Sequence, residues 1–367
     1  MLKKLFFCCA IFLTLALLCI YSSALEVSAK HAVLIEAQSG DIIFSKNANL
    51  CAPMASTTKI MTAVVAIENS SLDEMVTITA DSVGIEGSSI YLKEGERLSM
   101  KELLSALLLE SANDAATAIA IHISGSVDEF ATLMNAKAHE LGLENTNFTN
   151  PHGLDNESHY TTAYELAKIA KYAMSIPVFK EIVSSKAEQI SDIDGGKRLL
   201  VNHNKLLKRY DGACGIKTGF TKRCGRCLVS SAERDGVTLI AVTLNAPNDW
   251  NDHASMLDYG FSQYESVSLA NVGDYTISLN CISGKKDEVL CTNFSSLKIT
   301  LKKGEKDKIR AVLEAERFLF APVEQGQRVG RIVYYLDNEE ICSVPIYALE
   351  AIKPIKYKKS IFERIFS

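Results

Sequence analysis

The spacing of apolar positions changes character along the chain, and the changes mark out its organisation. Ala32-Val33-Leu34-Ile35-Glu36-Ala37, the polar Ser39-Gly40-Asp41 and then Ile42-Ile43-Phe44 predict two strands joined by a tight turn. After Pro53, the stretch from Lys59 to Ile67 is apolar on nearly every face, which predicts a helix in the middle of a domain. Three later helices are announced by capping boxes at Ser99 to Glu102, Ser126 to Glu129 and Thr162 to Glu165, in which a hydroxyl caps backbone donors and the Glu caps back. The first carries Leu103, Leu104, Leu107 and Leu108 and should run to Glu110; the second carries Phe130, Leu133, Met134 and Leu141 and should stop at Gly142. Asn145 to Tyr160, between the second and third, is polar and long enough to be a functional loop. Strand texture returns from Leu199 to Leu244, followed by a closing helix expected from Asp252 to Tyr259 with its end at Gly260. Helices thus occupy the middle of this segment, and strands from its two ends can meet in one sheet. Beyond Ser266, short alternating runs such as Ser296 to Leu301, Arg331 to Leu336 and Ile341 to Ile346 predict a separate small β domain.

The two ends read differently. Lys3 and Lys4, the apolar Leu5 to Ile20 and the small residues Ser22-Ser23-Ala24 have the layout of a secretory signal peptide cleaved after Ala24 or Ala29. The alternative is an uncleaved anchor, since the apolar run approaches the roughly 17–25 residues that span a bilayer. A lipoprotein reading at Cys19 is weaker, because Leu18 stands where a small residue is expected. The last stretch, Lys353 to Ser367, mixes five basic residues with Ile355, Tyr357, Ile361, Phe362, Ile365 and Phe366.

At 367 residues the chain is long enough for two domains, and 23% charged residues with 20 Gly and 7 Pro exclude wholesale disorder and collagen-like repeats. A formal charge of -5 gives no sign of nucleic-acid binding. Three of the ten cysteines fall in the leader, leaving Cys51, Cys214, Cys224, Cys227, Cys281, Cys291 and Cys342. So many thiols in an exported chain point to weakly oxidising surroundings. Cys224-Gly225-Arg226-Cys227 has CxxC spacing, but with no second CxxC and no HExxH the reading is ordinary thiols or one local disulfide, not a zinc or redox centre. Cys281 and Cys291 could also pair.

Three short motifs carry chemistry. Ser56-Thr57-Thr58-Lys59 places a hydroxyl and an amine three apart at a helix start, on one face and in reach of each other. A lysine can take a serine's proton only if burial or neighbouring positive charge lowers its pKa, and the apolar helix offers burial. Alone, the motif is equally a capping serine with a snorkelling lysine. Ser111-Ala112-Asn113 follows the leucine-rich helix, and Lys217-Thr218-Gly219 lies in a strand where glycine permits close approach of another backbone. In this order, inside one secreted domain, the three match the signature of penicillin-recognising serine enzymes.

The strings Ala55 to Ala63, Glu110 to Ala116, Asn150 to Asp155 and Gly215 to Thr221, with Ala321-Pro322-Val323 and Gly326 to Gly330 further on, resemble the low-molecular-weight penicillin-binding proteins that act as D-alanyl-D-alanine carboxypeptidases. The resemblance implies an α/β (α+β) penicillin-binding/β-lactamase-like serine transpeptidase domain over 25–265, with a central antiparallel sheet and an all-helical subdomain, then a small all-β domain over 266–352. It also implies that the tail 353–367 is an amphipathic membrane anchor; a solvated basic tail is the competing reading. By the same resemblance, Ser56 is the nucleophile, Lys59 its base and Ser111 the proton relay to the leaving amine. Asn113 holds the substrate amide, Lys217 adds positive charge, Thr218 holds the substrate carboxylate, and the backbone N–H groups of Ser56 and Phe220, beside Gly219, form the oxyanion hole. The implied substrate is a peptidoglycan stem pentapeptide ending in D-Ala-D-Ala, β-lactams are covalent ligands, and neither metal nor organic cofactor is needed.

One departure stands out. Several relatives carry a carboxylate-binding arginine shortly before the closing helix, and Asn248 to His253 here contains none. Trp250 and His253 are assigned to packing or solvent, and His152 and His159 to structural hydrogen bonding. A β-lactamase is the nearest alternative enzyme, but the loop has no Glu-x-x-Leu-Asn to activate water and the extra β domain speaks against it. A non-catalytic penicillin-binding sensor that has kept the fold is the alternative from another class.

Overall fold

The computed structural model describes residues 25–192 and 195–356. The leader and the tail beyond residue 356 lie outside the described residues. Among the described residues no helix is long and apolar enough to cross a membrane. The chain divides into two compact units at residues 262/263, with 235–237 grouped with the second.

In the first unit the predicted hairpin forms as β1 (His31–Glu36) and β2 (Ile42–Lys46), and the greasy segment becomes α1 (Lys59–Asn69), buried from Lys59 to Ala66. A small ribbon of β3 (Met75–Thr77) and β4 (Arg97–Ser99) leads into α2 (Met100–Ser105). Next come α3 (Asn113–Ser124), α4 (Val127–Glu140), α5 (Ala163–Met174) and α6 (Pro177–Ser184). β5 (Ala187–Ser191) and β6 (Lys197–Val201) pair only with each other, and a single turn, α7 (Leu206–Arg209), precedes β7 (Ala213–Thr221), β8 (Gly225–Arg234), β9 (Val237–Leu244) and α8 (Asp249–Gln263). The central sheet runs β2-β1-β9-β8-β7, with all its pairings antiparallel where their registers are given, so chain-terminal and late strands share one sheet as expected.

The three capping boxes turn out differently. Ser99 and Glu102 cap each other reciprocally. Ser126 and Thr162 accept from the backbone N–H of Glu129 and Glu165, but the Glu165 carboxylate turns away and accepts from Glu144 N, Asn145 N and Thr146 Oγ1, fastening the start of the long loop to α5. The leucine-rich helix reaches Glu110 as expected, but its last turn, Ala106–Glu110, is π-helical. The closing helix starts three residues before Asp252 and runs through Gly260. A Cβ at Gly260 would lie 2.5 Å from Leu239 and 3.0 Å from Leu34, so this glycine serves close packing on the sheet and is no helix stop.

The second unit is all β. β10 (Tyr264–Ala270) pairs with β13 (Leu297–Lys302). A six-stranded sheet in the order β14-β16-β17-β12-β11-β15 contains β11 (Thr276–Ile282), β12 (Glu288–Thr292), β14 (Arg310–Ala315), β15 (Phe318–Phe320), β16 (Arg328–Leu336) and β17 (Glu339–Ala348). Its core gathers Val289, Ile332, Val344 and Ile346 from alternating positions, as the period of two demands.

Candidate active site

Ser56 lies on a tight turn, Ala55–Thr58, immediately before α1, with Ala55 in the left-handed region at φ 48°. The Thr57 and Thr58 hydroxyls donate to the Met54 and Ala55 carbonyls at 2.6 and 2.8 Å, which fixes the turn with its own side chains. Lys59, one turn on, is fully buried, and its Nζ sits 3.0 Å from Ser56 Oγ, 2.7 Å from Asn113 Oδ1 and 2.6 Å from the His152 carbonyl oxygen. Burial first, and the nearby Lys217 charge second, hold the Lys59 pKa well below the ordinary lysine value, with Asp114 opposing. The two carbonyl oxygens can only accept. A neutral amine therefore commits both its hydrogens to them and turns its lone pair to the Ser56 hydroxyl.

Asn113 opens α3 and is almost wholly buried. Its Nδ2 donates to the Glu86 carbonyl at 2.5 Å, so both ends of the amide are bonded inside the protein. Ser111, just before it, is left-handed at φ 62°, a conformation costly for a residue with a Cβ. Asp114, which the sequence reading passed over, is buried and accepts from Ser89 Oγ at 2.6 Å, Leu92 N at 3.0 Å and Ile90 N at 3.3 Å, pinning the segment above the site to α3.

On β7, Lys217 is buried, donates to the Thr218 carbonyl at 2.9 Å, and is pulled by burial to a pKa of about 7. The close approach expected at Gly219 is present: a Cβ there would lie 3.1 Å from Ser56 N and 3.2 Å from the Met54 carbonyl oxygen. Ser56, Ser111, Thr218, Gly219 and Phe220 line one cleft of about 330 Å³. All eight sequence-predicted residues thus converge, Lys59, Asn113 and Lys217 as its buried floor and the others as its lining.

The loop 145–160 braces this arrangement. At Gly153 (φ 85°) a Cβ would lie 2.0 Å from the Ala55 carbonyl oxygen, so only glycine lets the loop lie on the Ser56 turn. His159 Nδ1 accepts from Thr149 N at 3.0 Å, which leaves the proton on Nε2 to donate to Thr58 Oγ1 at 2.7 Å. Burial lowers its pKa to about 4 and that of His152 to about 3, so both rings are neutral structural groups. Asp155 accepts from Thr221 Oγ1 at 2.8 Å, tying the loop to β7.

The same cleft is also lined by Ser88, His203, Lys205, Arg226, Asp249 and Trp250, none of them anticipated. His203 pairs with Glu110 at 3.0 Å. Trp250 forms wall and not core, whereas His253 is fully buried between Ser230 Oγ at 2.5 Å and Thr243 Oγ1 at 2.9 Å. All seven described cysteines are free thiols, including Cys281 and Cys291. The Cys224 thiol is drawn down by a hydrogen bond from Cys227, whose own thiol is pushed up. Among the described residues no three His, Cys, Asp or Glu side chains are grouped to hold a metal ion.

Fold and site together define a serine peptidase of penicillin-binding-protein architecture. A family model described as D-alanyl-D-alanine carboxypeptidase matches residues 20–248, and one described as penicillin-binding protein 5, C-terminal domain, matches residues 264–354. The chain is 35% identical to the D-alanyl-D-alanine carboxypeptidase DacF of Bacillus subtilis over 341 residues, covering 90% of this chain and 88% of that one. It is 31% identical to DacC, a carboxypeptidase of the same description from Escherichia coli, covering 89% and 85%. The solved structure of penicillin-binding protein 5 from Haemophilus influenzae superposes with a TM-score of 0.69 at 30% identity, covering 90% of this chain and 99% of that one. The chain belongs to the D-alanyl-D-alanine carboxypeptidase family and is a serine-type enzyme of that activity.

Proposed function

We propose that the enzyme removes the terminal D-alanine from peptidoglycan pentapeptide stems through an acyl-enzyme on Ser56, and so limits cross-linking during cell-wall biogenesis. Ser56 Oγ attacks the carbonyl carbon of the penultimate D-Ala while its proton passes to Lys59 Nζ. The oxyanion is received by the backbone N–H groups of Ser56 and Phe220, a pairing supported by the contact-distance approach of Gly219 to Ser56 N. As the tetrahedral intermediate collapses, the C–N bond breaks and the proton that Lys59 took, relayed through Ser111, leaves with the amine of D-alanine, which returns Lys59 to its neutral form. Water, deprotonated by Lys59, then attacks the ester, and the tetrapeptide is released with Ser56 restored. Thr218 receives the substrate carboxylate, and the Lys217 charge lowers the proton affinity of Lys59. Asn113, bonded to Lys59 and to Glu86, orients the base and offers its remaining N–H to the substrate amide. The same acylation step traps a β-lactam, because its ring carbonyl stands where the scissile carbonyl would.

The observation that carries this reading is the Lys59 amine, buried, held by two carbonyls and aimed at Ser56. The long loop contributes a carbonyl to Lys59, that of His152, where a β-lactamase needs a carboxylate for its water. On sequence grounds the reading includes export by the first 24 residues and peripheral contact of the basic tail with the outer face of the cytoplasmic membrane. The test is incubation of the mature chain with a pentapeptide ending in D-Ala-D-Ala and, separately, with a β-lactam. Released D-alanine and a long-lived adduct, both lost in Ser56→Ala, are expected. An adduct without D-alanine release would favour a sensor, and rapid β-lactam destruction without peptide cleavage would favour a β-lactamase.

A further inference from the structure

A carboxypeptidase must recognise a free terminal carboxylate, and a lone threonine hydroxyl supplies no charge for it. The segment opening α8, Asn248 to His253, contains no cation that could help. It contains instead Asp249 and Trp250, and both hold an arginine that arrives from the neighbouring strand. Arg226 Nη2 lies 2.9 Å from Asp249 Oδ2, and its guanidinium carbon is 5.7 Å from the centre of the Trp250 ring. Asp249 is almost completely buried while the Arg226 side chain is 42% exposed, so the ion pair anchors one edge of the guanidinium and leaves the rest toward solvent. Among the described residues Asp249 is the one side-chain acceptor it meets, and a planar fork with donors to spare is what bidentate carboxylate recognition requires.

The sheet register places that fork beside Thr218. Arg226 is directly opposite Phe220, and Leu228 opposite Thr218, on the antiparallel pair β7–β8. Residues directly opposite on paired strands share a face, as do residues two apart on one strand, so Thr218, Phe220 and Arg226 project from the same side. All three line the cleft that contains Ser56. Lys205 lines it too, but it is exposed at the start of the single turn α7, and among the described residues no partner fixes its ammonium.

We propose that Arg226, held by Asp249 and Trp250, binds the terminal carboxylate of the substrate together with Thr218 and thereby sets the preference for a free C-terminus. This assignment rests on the acyl-enzyme reading of the site. Its test compares kcat/KM for D-alanine release from a pentapeptide ending in D-Ala-D-Ala with that for release of D-alaninamide from the same peptide carrying a C-terminal carboxamide. In the wild type the carboxylate peptide is preferred. Arg226→Gln is expected to lower that preference by about 10- to 100-fold, the scale of a hydrogen bond to a charged group, chiefly through KM for the carboxylate peptide. Arg226→Lys should recover part of it, because charge returns without the fork.

Since Arg226→Gln leaves Asp249 buried and unpaired, the double variant Arg226→Gln with Asp249→Asn, which removes both charges, is measured beside it and should lose the preference equally. An unchanged preference in these variants, or its loss in Lys205→Gln and not in them, would overturn the assignment. Failure of the wild type itself to release D-alanine would instead sink the reading of the site on which the assignment depends.

Discussion

Two buried lysines in the same unit have opposite fates. Among the described residues Lys59 has no side-chain carboxylate within hydrogen-bond reach; its partners are a hydroxyl, an amide oxygen and a backbone carbonyl, and its pKa lies far below normal. Lys137, with a side chain only 8% exposed, is also pulled downward by burial, though less than Lys59, and it meets Glu68 at 2.9 Å, Glu140 at 3.0 Å and the Tyr172 hydroxyl at 3.1 Å. Those bonds outweigh burial, and its pKa is raised. Burial therefore does not make a base. What decides is whether the buried amine is bonded to a counter-charge: Lys59 bonds to neutral groups, and the more distant Asp114 is outweighed by burial and Lys217.

The comparison can be broken most severely at Lys59. Lys59→Arg replaces the titratable amine with a permanent cation, and D-alanine release should fall by about 10²–10⁴-fold, the span of general base catalysis, as read by product assay. Asn113→Asp would give Lys59 the kind of partner Lys137 has. The acid limb of the kcat/KM–pH profile should then move to higher pH, and the rate should fall roughly tenfold per pH unit below the raised pKa. A limb that stays in place would mean that the limb does not report Lys59.

Lys137→Met should leave D-alanine release unchanged. Because Glu68 and Glu140 are 31% and 67% exposed and can rehydrate, the loss in urea unfolding should be only about 1–2 kcal/mol.

The buried histidines follow Lys59: burial outweighs any opposing charge, including that of Asp155 on His159, and lowers their pKa values. His253 has its pKa lowered to about 3. Its ring is unprotonated in the native state while the unfolded chain takes up a proton near pH 6.5, so its contribution is present above pH 6.5 and is lost as pH falls toward 3. His253→Asn should flatten the stability–pH curve across that window by at most about 1.4 kcal/mol per pH unit.

Much of this was legible in the sequence. Hydroxyl and amine three apart before a greasy helix already specify a shared face and burial, and Gly219 in a strand already implies close approach. The capped helices could be read from their first four residues. α3 could not, because Ala112 at its start has no side-chain cap and its alanine-rich face is buried all round, leaving neither punctuation nor period. Gly260 was misread because glycine's turn signal and its packing use look alike along the chain. Glu165 was read as a helix cap and Asp114 was given no role, because the groups their carboxylates hold lie in loops distant along the chain. Arg226 was hidden for a similar reason: strand register brings it to Phe220, and its partners Asp249 and Trp250 enter from α8.

The central claim is that burial and the nearby Lys217 charge hold the Lys59 pKa well below the ordinary lysine value. It is tested most directly by following the ¹³Cε resonances of labelled lysines against pH, with assignments from Lys59→Arg and Lys137→Met. The account predicts that Lys59 loses its proton well below the pH at which ordinary lysines do, while Lys137 in the same sample keeps its proton beyond them. A Lys59 signal that stays in the ammonium position through neutral pH and titrates alongside ordinary lysines would contradict it.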